Sequence, residues 1–134
     1  LAKSQSNDNP VYYIQYAHAR ICRVREDYTK QGGDLSRLPE ADLSLLQHPA
    51  EQQILRRLNE YSDTIATAAR DYAPHIIAFY LKDLAADLHS YYSAEKWLVE
   101  DTHLSQARLS LISAVRQVIA NGLSLLGVSA PEKM

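Results

Sequence analysis

The chain has 134 residues, 46% of them apolar, with four glycines and five prolines, which suits one folded domain and excludes fibrous and disordered classes. A net charge of −2 gives no global field to draw in nucleic acid, so any polyanion must be met by a local patch. No apolar run approaches the roughly 20 residues that span a bilayer, so no membrane association is expected.

In chain order, the opening LAKSQSNDNP is polar, lacks the apolar core of a signal peptide and begins on Leu1, which reads as a piece of something larger. Asn9-Pro10 offers an N-cap followed by proline at the first helical position. Helix one then runs to about Tyr28 and stops before Gly32-Gly33. Residues 31–48 hold a loop and a short helix, Pro39 to about Leu46. A third helix starts at Pro49 and carries Ile54, Leu58, Tyr61, Ile65, Ala68 and Tyr72 at spacings of three and four. It ends before Pro74, because the residue ahead of a proline is pushed out of the α region. Helix four, Pro74 to about Ser93, presents Ile77, Tyr80, Leu84, Leu88 and Tyr91. A polar stretch around Trp97 to Thr102 follows. Helix five, about Leu104 to Leu126, presents Leu111, Val115, Val118, Gly122 and Leu125, with Gly127 as its C′ residue. No stretch alternates with the period of a strand. The expected fold is all-α, a helical bundle of four long helices plus a short one.

The stretch NPVYYIQYAHARI, residues 9–21, is unusual for a first helix in its aromatic content. At about 100° per residue, Ile14, Ala17, Ile21, Val24 and Tyr28 form its core stripe. Tyr13, Tyr16, Arg20 and Arg23 form a second stripe bordering the first, and Gln15, His18 and Cys22 lie on a third face. Phenol rings and guanidinium planes at this spacing can stack on unpaired bases, each base being worth about 1–3 kcal/mol. They can equally bury their rings at a bundle edge and leave the hydroxyls wet.

That stretch, with ARLSLISAVRQVIANGLSLLGVSAPEKM at the chain's end, resembles the C-terminal region of arginyl-tRNA synthetases. The family's first anticodon-domain helix carries a similar Tyr-(Ile/Val/Leu)-Gln-Tyr-Ala-His-(Ala/Ser)-Arg. Its last helix carries similar Ala-Arg-Leu, Arg-Gln-Val, Asn-Gly-Leu and Leu-Leu-Gly segments and a final Pro-Glu-Arg-Met, here Pro131-Glu132-Lys133-Met134 with lysine for arginine. Residues 29–90 match only as a helical pattern with a tyrosine-rich end. The Asp-Ala-Leu-Arg motif that names the superfamily is absent in that form; Gln106-Ala107-Arg108-Leu109 stands near its place and is assigned no role.

The resemblance implies an all-α bundle of the class I synthetase anticodon-binding type over residues 9–134, with residues 1–8 a polar lead-in from an upstream catalytic region. Its implied partners are the anticodon stem and loop of arginine tRNA and that catalytic domain of the same chain. The parent would be a cytoplasmic, monomeric enzyme that joins arginine to its tRNA using ATP and magnesium. The chain itself has no His-(Ile/Val)-Gly-His signature, no Lys-Met-Ser-Lys loop and no Gly-rich phosphate cradle, so no catalysis and no cofactor are expected of it. A helical protein-interaction module of the same fold, or the anticodon domain of another class I synthetase, are the alternatives.

Carried over by position, the recognition surface comprises Tyr13 and Tyr16, the aromatic segment after helix four (Tyr92 and Trp97) and Met134, with Arg20 one turn from Tyr16 in the same motif. Trp97, the sole tryptophan, either offers an indole to a splayed-out base or caps the bundle end. Tyr91 lies on the core stripe; Tyr92, one step off it, is the stacking residue of the pair. Arg23, Arg108, Arg116 and the pair Arg56-Arg57 are further cations that could meet phosphate. His18 reads as a hydrogen-bonded structural histidine. A metal site is not expected: Glu100-Asp101-Thr102-His103 is the one Glu-x-x-His match and falls in a loop, and the other histidines lack partners at ligand spacing. Cys22 excludes an internal disulfide, fits a reducing compartment and reads as a packing residue.

Overall fold

A computed structural model describes residues 9–134; the polar lead-in, 1–8, lies outside the described residues. Five α-helices follow one another: α1 (Pro10–Lys30), α2 (Pro49–Asn59), α3 (Tyr61–Arg70), α4 (His75–Ala94) and α5 (Thr102–Leu125), with two 3₁₀ turns (Leu35–Glu40 and Leu43–Leu45) between α1 and α2. Among the described residues there is no strand, and no helix is long and apolar enough to cross a membrane. The all-α bundle expected from the periodicity is what forms.

α4 is the hub, touching every other helix. Its five stripe residues, Ile77, Tyr80, Leu84, Leu88 and Tyr91, are all buried, and so are Leu81 and Ala85, so α4 is enclosed on more than one side. α1 packs on α4 and α5 through Ile14, Ala17 and Ile21, with Val24 and Tyr28 against the same core. Where α5 crosses α4, Gly122 lets the helices close up: a Cβ there would lie 2.7 Å from a Leu81 methyl.

Four local expectations are corrected. The helix read as continuous from Pro49 to Tyr72 breaks at Glu60. There the Arg57 carbonyl accepts both the Tyr80 hydroxyl and, in an i→i+3 bond, the Glu60 N–H, which tightens the turn. Tyr72, read as the last core residue of that helix, instead ends it at a left-handed φ of 52° and is 93% exposed. The single short helix over Pro39–Leu46 is two turns, each opened by an Asp-Leu-Ser unit in which Asp34 or Asp42 accepts the N–H and hydroxyl of the serine two residues on. On α5 the buried row runs through Ile112, Val115, Ile119 and Leu123, and Leu125 is exposed.

The chain end is held by a Schellman turn. Gly127, at φ 75°, lets the Val128 N–H reach the Leu123 carbonyl at 2.8 Å and its own N–H reach Ser124 at 3.0 Å. That turn sends residues 128–134 back across α1.

Candidate nucleic-acid interface

The second stripe of α1 faces the C-terminal half of α4. Arg20 is the centre of the contact. Its guanidinium carbon lies 3.9 Å from the centroid of the Tyr92 ring and 4.9 Å from that of Tyr16. One Nη donates to the Tyr16 hydroxyl at 3.2 Å and the other sits 3.0 Å from Nδ1 of His89. A guanidinium has no acceptor, so His89 accepts on Nδ1 and carries its proton on Nε2. Burial, and then the charge of Arg20, push the His89 pKa down, which keeps the ring neutral. The imidazole lies against Tyr13 (ring centroids 4.9 Å apart) and Tyr16 (5.7 Å), and Tyr12 stacks on Tyr16 at 6.4 Å, nearly parallel. The result is a continuous aromatic row, Tyr12–Tyr16–Arg20–Tyr92, along the α1–α4 seam.

This row borders an open cleft of about 300 Å³ whose lining includes Tyr16, Arg20, Arg23, Tyr92 and, from the chain end, Glu132, Lys133 and Met134. Tyr92 is 46% exposed, with one face given to Arg20. Four of the six residues expected at an interface thus converge: Tyr16, Arg20, Tyr92 and Met134. The cleft's charges are balanced, with Arg20, Arg23 and Lys133 against Glu26, Asp27 and Glu132.

The other two are placed elsewhere. Tyr13 packs on the bundle core beside His89 and does not line the cleft. Trp97 corrects the reading of its loop as a surface platform: it is 3% exposed, wedged between Tyr91 (5.5 Å) and Tyr92 (5.3 Å, edge-on). The loop is turned inward because α5 grips it at two points. Arg108 donates to the Lys96 carbonyl at 2.6 Å, and the Ser105 hydroxyl bonds both the N–H and the carbonyl of Val99. Trp97 therefore supports Tyr92 from beneath.

Of the remaining candidate cations, Arg108 and Arg57 are committed to ion pairs. Arg108 is buried against Glu51 (2.8 Å) and Glu95 (3.1 Å). Arg57 pairs with Asp87 at 2.8 Å. Arg56 donates to Gln53, and the Nε of Arg116 is buried with no partner among the described residues. Sequence reasoning passed over Tyr12 and His89. Both were within reach: Tyr12 precedes Tyr16 by four residues and His89 precedes Tyr92 by three, so each pair shares a helix face.

A family model described as the DALR anticodon binding domain matches residues 14–134. Over all 134 residues the chain is 56% identical to an arginine–tRNA ligase of Dechloromonas aromatica and 57% identical to one of Aromatoleum aromaticum. It spans only 22% of the length of each. Among solved structures it resembles a Campylobacter jejuni protein described as an arginyl-tRNA synthetase, with a TM-score of 0.85 and 32% identity over 99% of this chain and 28% of that one. It also resembles the Thermus thermophilus arginyl-tRNA synthetase, with a TM-score of 0.77 and 34% identity over 91% of this chain and 21% of that one.

Proposed function

The chain belongs to the DALR anticodon binding domain family, and from that membership we propose that its cleft receives the anticodon loop of an arginine tRNA. The observation that carries the reading is the convergence of Tyr16, Arg20, Tyr92 and Met134, from two helices and the chain end, around one open space. Unpaired loop bases expose π-faces, and each base stacked on an aromatic side chain is worth about 1–3 kcal/mol. Arg20 still has N–H donors beyond the two bonds it makes to Tyr16 and His89, and a guanidinium so fixed offers them in a set direction. With charges balanced around the cleft, recognition rests on stacking and base-edge hydrogen bonds more than on phosphate neutralisation.

In this reading the chain is the tRNA-holding part of a longer, monomeric, cytoplasmic arginine–tRNA ligase. ATP and magnesium belong to a catalytic region of the same polypeptide, and this part performs no step of the chemistry. The test is capture of total tRNA on the immobilised chain followed by sequencing. Enrichment of arginine isoacceptors is expected. Capture of no isoacceptor above the input distribution, with the longer ligase behaving likewise, would leave the bundle as a protein-interaction module.

A further inference from the structure

The third face of α1 turns away from the aromatic row, and the cleft does not use it. It holds the chain end instead. Beyond the Gly127 turn, Val128 and Ala130 pack against the core. The Gln15 side-chain amide then donates to the Ser129 carbonyl at 2.8 Å, and Nδ1 of His18 lies 2.9 Å from the Pro131 carbonyl. A carbonyl can only accept, so His18 carries a proton on Nδ1. The ring is buried, which shelters this bond from competing water; Cys22, one turn on, rests its sulfur 3.8 Å from the same nitrogen. Among the described residues these are the only hydrogen bonds fastening residues 129–134 to the bundle.

The spacing suits a strap. From Gln15 to His18 α1 advances about 4.5 Å, and two residues of extended chain advance about 6.6 Å while presenting alternate carbonyls to one side. The two segments run in the same direction, so the residues after Pro131 are carried further along α1. Those residues are Glu132, Lys133 and Met134, which reach the cleft lined by Tyr16, Arg20 and Tyr92.

We propose that Gln15 and His18 are positioning residues, a two-point latch on the Ser129 and Pro131 carbonyls that sets the C-terminal wall of the cleft. The latch stands on these contacts alone; its consequence for tRNA rests on the function proposed above. α1 then serves the cleft twice, with Tyr16 and Arg20 on one face and with the anchor of the opposing wall on another.

Met134 is the only methionine of the sequence, so methyl-labelled methionine gives the 134-residue chain one tail probe; any initiator methionine is identified in a variant lacking Met134. In the parent chain the Met134 methyl should be displaced from its free-peptide shift and show cross-peaks to the tyrosine rings. Gln15→Leu and His18→Leu should each raise the detached fraction of the tail about two- to tenfold, as expected for loss of one hydrogen bond. His18→Asn, whose amide can donate from near the Nδ1 position, should restore the docked signal. Binding of an arginine anticodon stem-loop should fall in His18→Leu toward the level of a chain truncated after Ala130, and the two changes together should lose no more than the truncation alone. Should His18→Leu fail to fold, Gln15→Leu and His18→Asn decide the matter by the same methyl signal. A detached fraction no higher than the parent's in folded Gln15→Leu and His18→Leu chains would overturn the latch. So would a detached methyl in the parent chain. If the parent chain and the longer ligase bind no stem-loop, the proposed function fails while the methyl signal still decides the latch.

Discussion

Two arginines at opposite ends of the same packing problem show how burial selects a partner. Arg108 is 6% exposed and meets Glu51, itself 1% exposed, through Nε at 2.8 Å, with Glu95 and the Lys96 carbonyl taking the two Nη groups. The same Glu51 oxygen accepts the Tyr91 hydroxyl at 2.6 Å, and the other oxygen accepts the His48 N–H at the start of α2. Arg20 is half-buried and has no carboxylate within ion-pair distance among the described residues. Two π-faces, a phenol and a neutral imidazole hold it. A charge taken fully out of water needs a countercharge and filled hydrogen-bond sites; one left at the edge can be steadied by ring quadrupoles and keeps donors to offer. Arg108 ties α2, α4 and α5 together, whereas Arg20 is presented.

The sharpest way to break this contrast is to remove each guanidinium. Arg108→Met should destabilise the bundle by about 3–5 kcal/mol, because Glu51 is left buried and uncompensated. Urea unfolding reads this directly, and a loss near zero would mean that Glu51 reaches water. Arg20→Met keeps a side chain of similar length over Tyr92 and leaves no buried charge behind. Its stability loss should be the smaller of the two, with the larger effect on tRNA.

The aromatic pair beside them sharpens the same distinction at the next size down. Trp97→Ala empties a core position and should cost about 3–5 kcal/mol of stability. Tyr92→Ala, from the half-exposed neighbour, should cost less stability and weaken stem-loop binding by about 1–3 kcal/mol. Fluorescence titration at several salt concentrations checks this, and the salt slope should be unchanged in Tyr92→Ala because no phosphate contact is lost. A Trp97→Ala chain that stays as stable as the parent would return the indole to the surface.

Why the sequence placed Arg20 beside Tyr16 yet left Trp97 open between surface and core follows from what periodicity can see. Helical spacing places residues on faces, and so it located the core of α1 and α4 and set Arg20 beside Tyr16, while glycine marked the helix ends at Gly32 and Gly127. Spacing has nothing to say about a loop, whose inward turn depends on Arg108 and Ser105 from a helix later in the chain. The break at Glu60 was hidden for the same reason, since the Tyr80 hydroxyl that reaches Arg57 lies on another helix. Tyr72 continued the apolar spacing past the residue where the helix stopped, in a left-handed conformation that tyrosine does not favour. The paired Asp-Leu-Ser units carry the local turn chemistry in the sequence itself, each aspartate accepting from the serine two residues on. Tyr72→Gly, which removes the Cβ penalty at φ 52° from an exposed site, should stabilise the chain by up to about 1 kcal/mol. An unchanged or lowered urea midpoint would show that the tyrosine ring makes a compensating contact.

The smallest effect tests why Arg20 can rest against a histidine at all. His89 faces Arg20 and Tyr16 from α1 and has Tyr13 on its other side. Its folded pKa lies below the ordinary value of 6.5, first through burial and then through the Arg20 charge. In the unfolded chain the ring takes up a proton as the pH falls through about 6.5, while in the folded chain it stays neutral to lower pH. The unfolded state then binds more protons, so stability falls as the pH drops from about 7, and His89 contributes no slope above that range. Protonation would also turn the Nδ1 acceptor into a donor facing a guanidinium and loosen the clasp. His89→Asn keeps an acceptor oxygen near Nδ1 and cannot titrate, so its stability should fall less steeply between about pH 7.5 and about pH 5.5. The remaining histidines contribute to both curves and cancel in the difference. Parallel curves for the two chains would mean that His89 takes up its proton at the same pH folded as unfolded, so that neither burial nor the Arg20 charge holds it neutral.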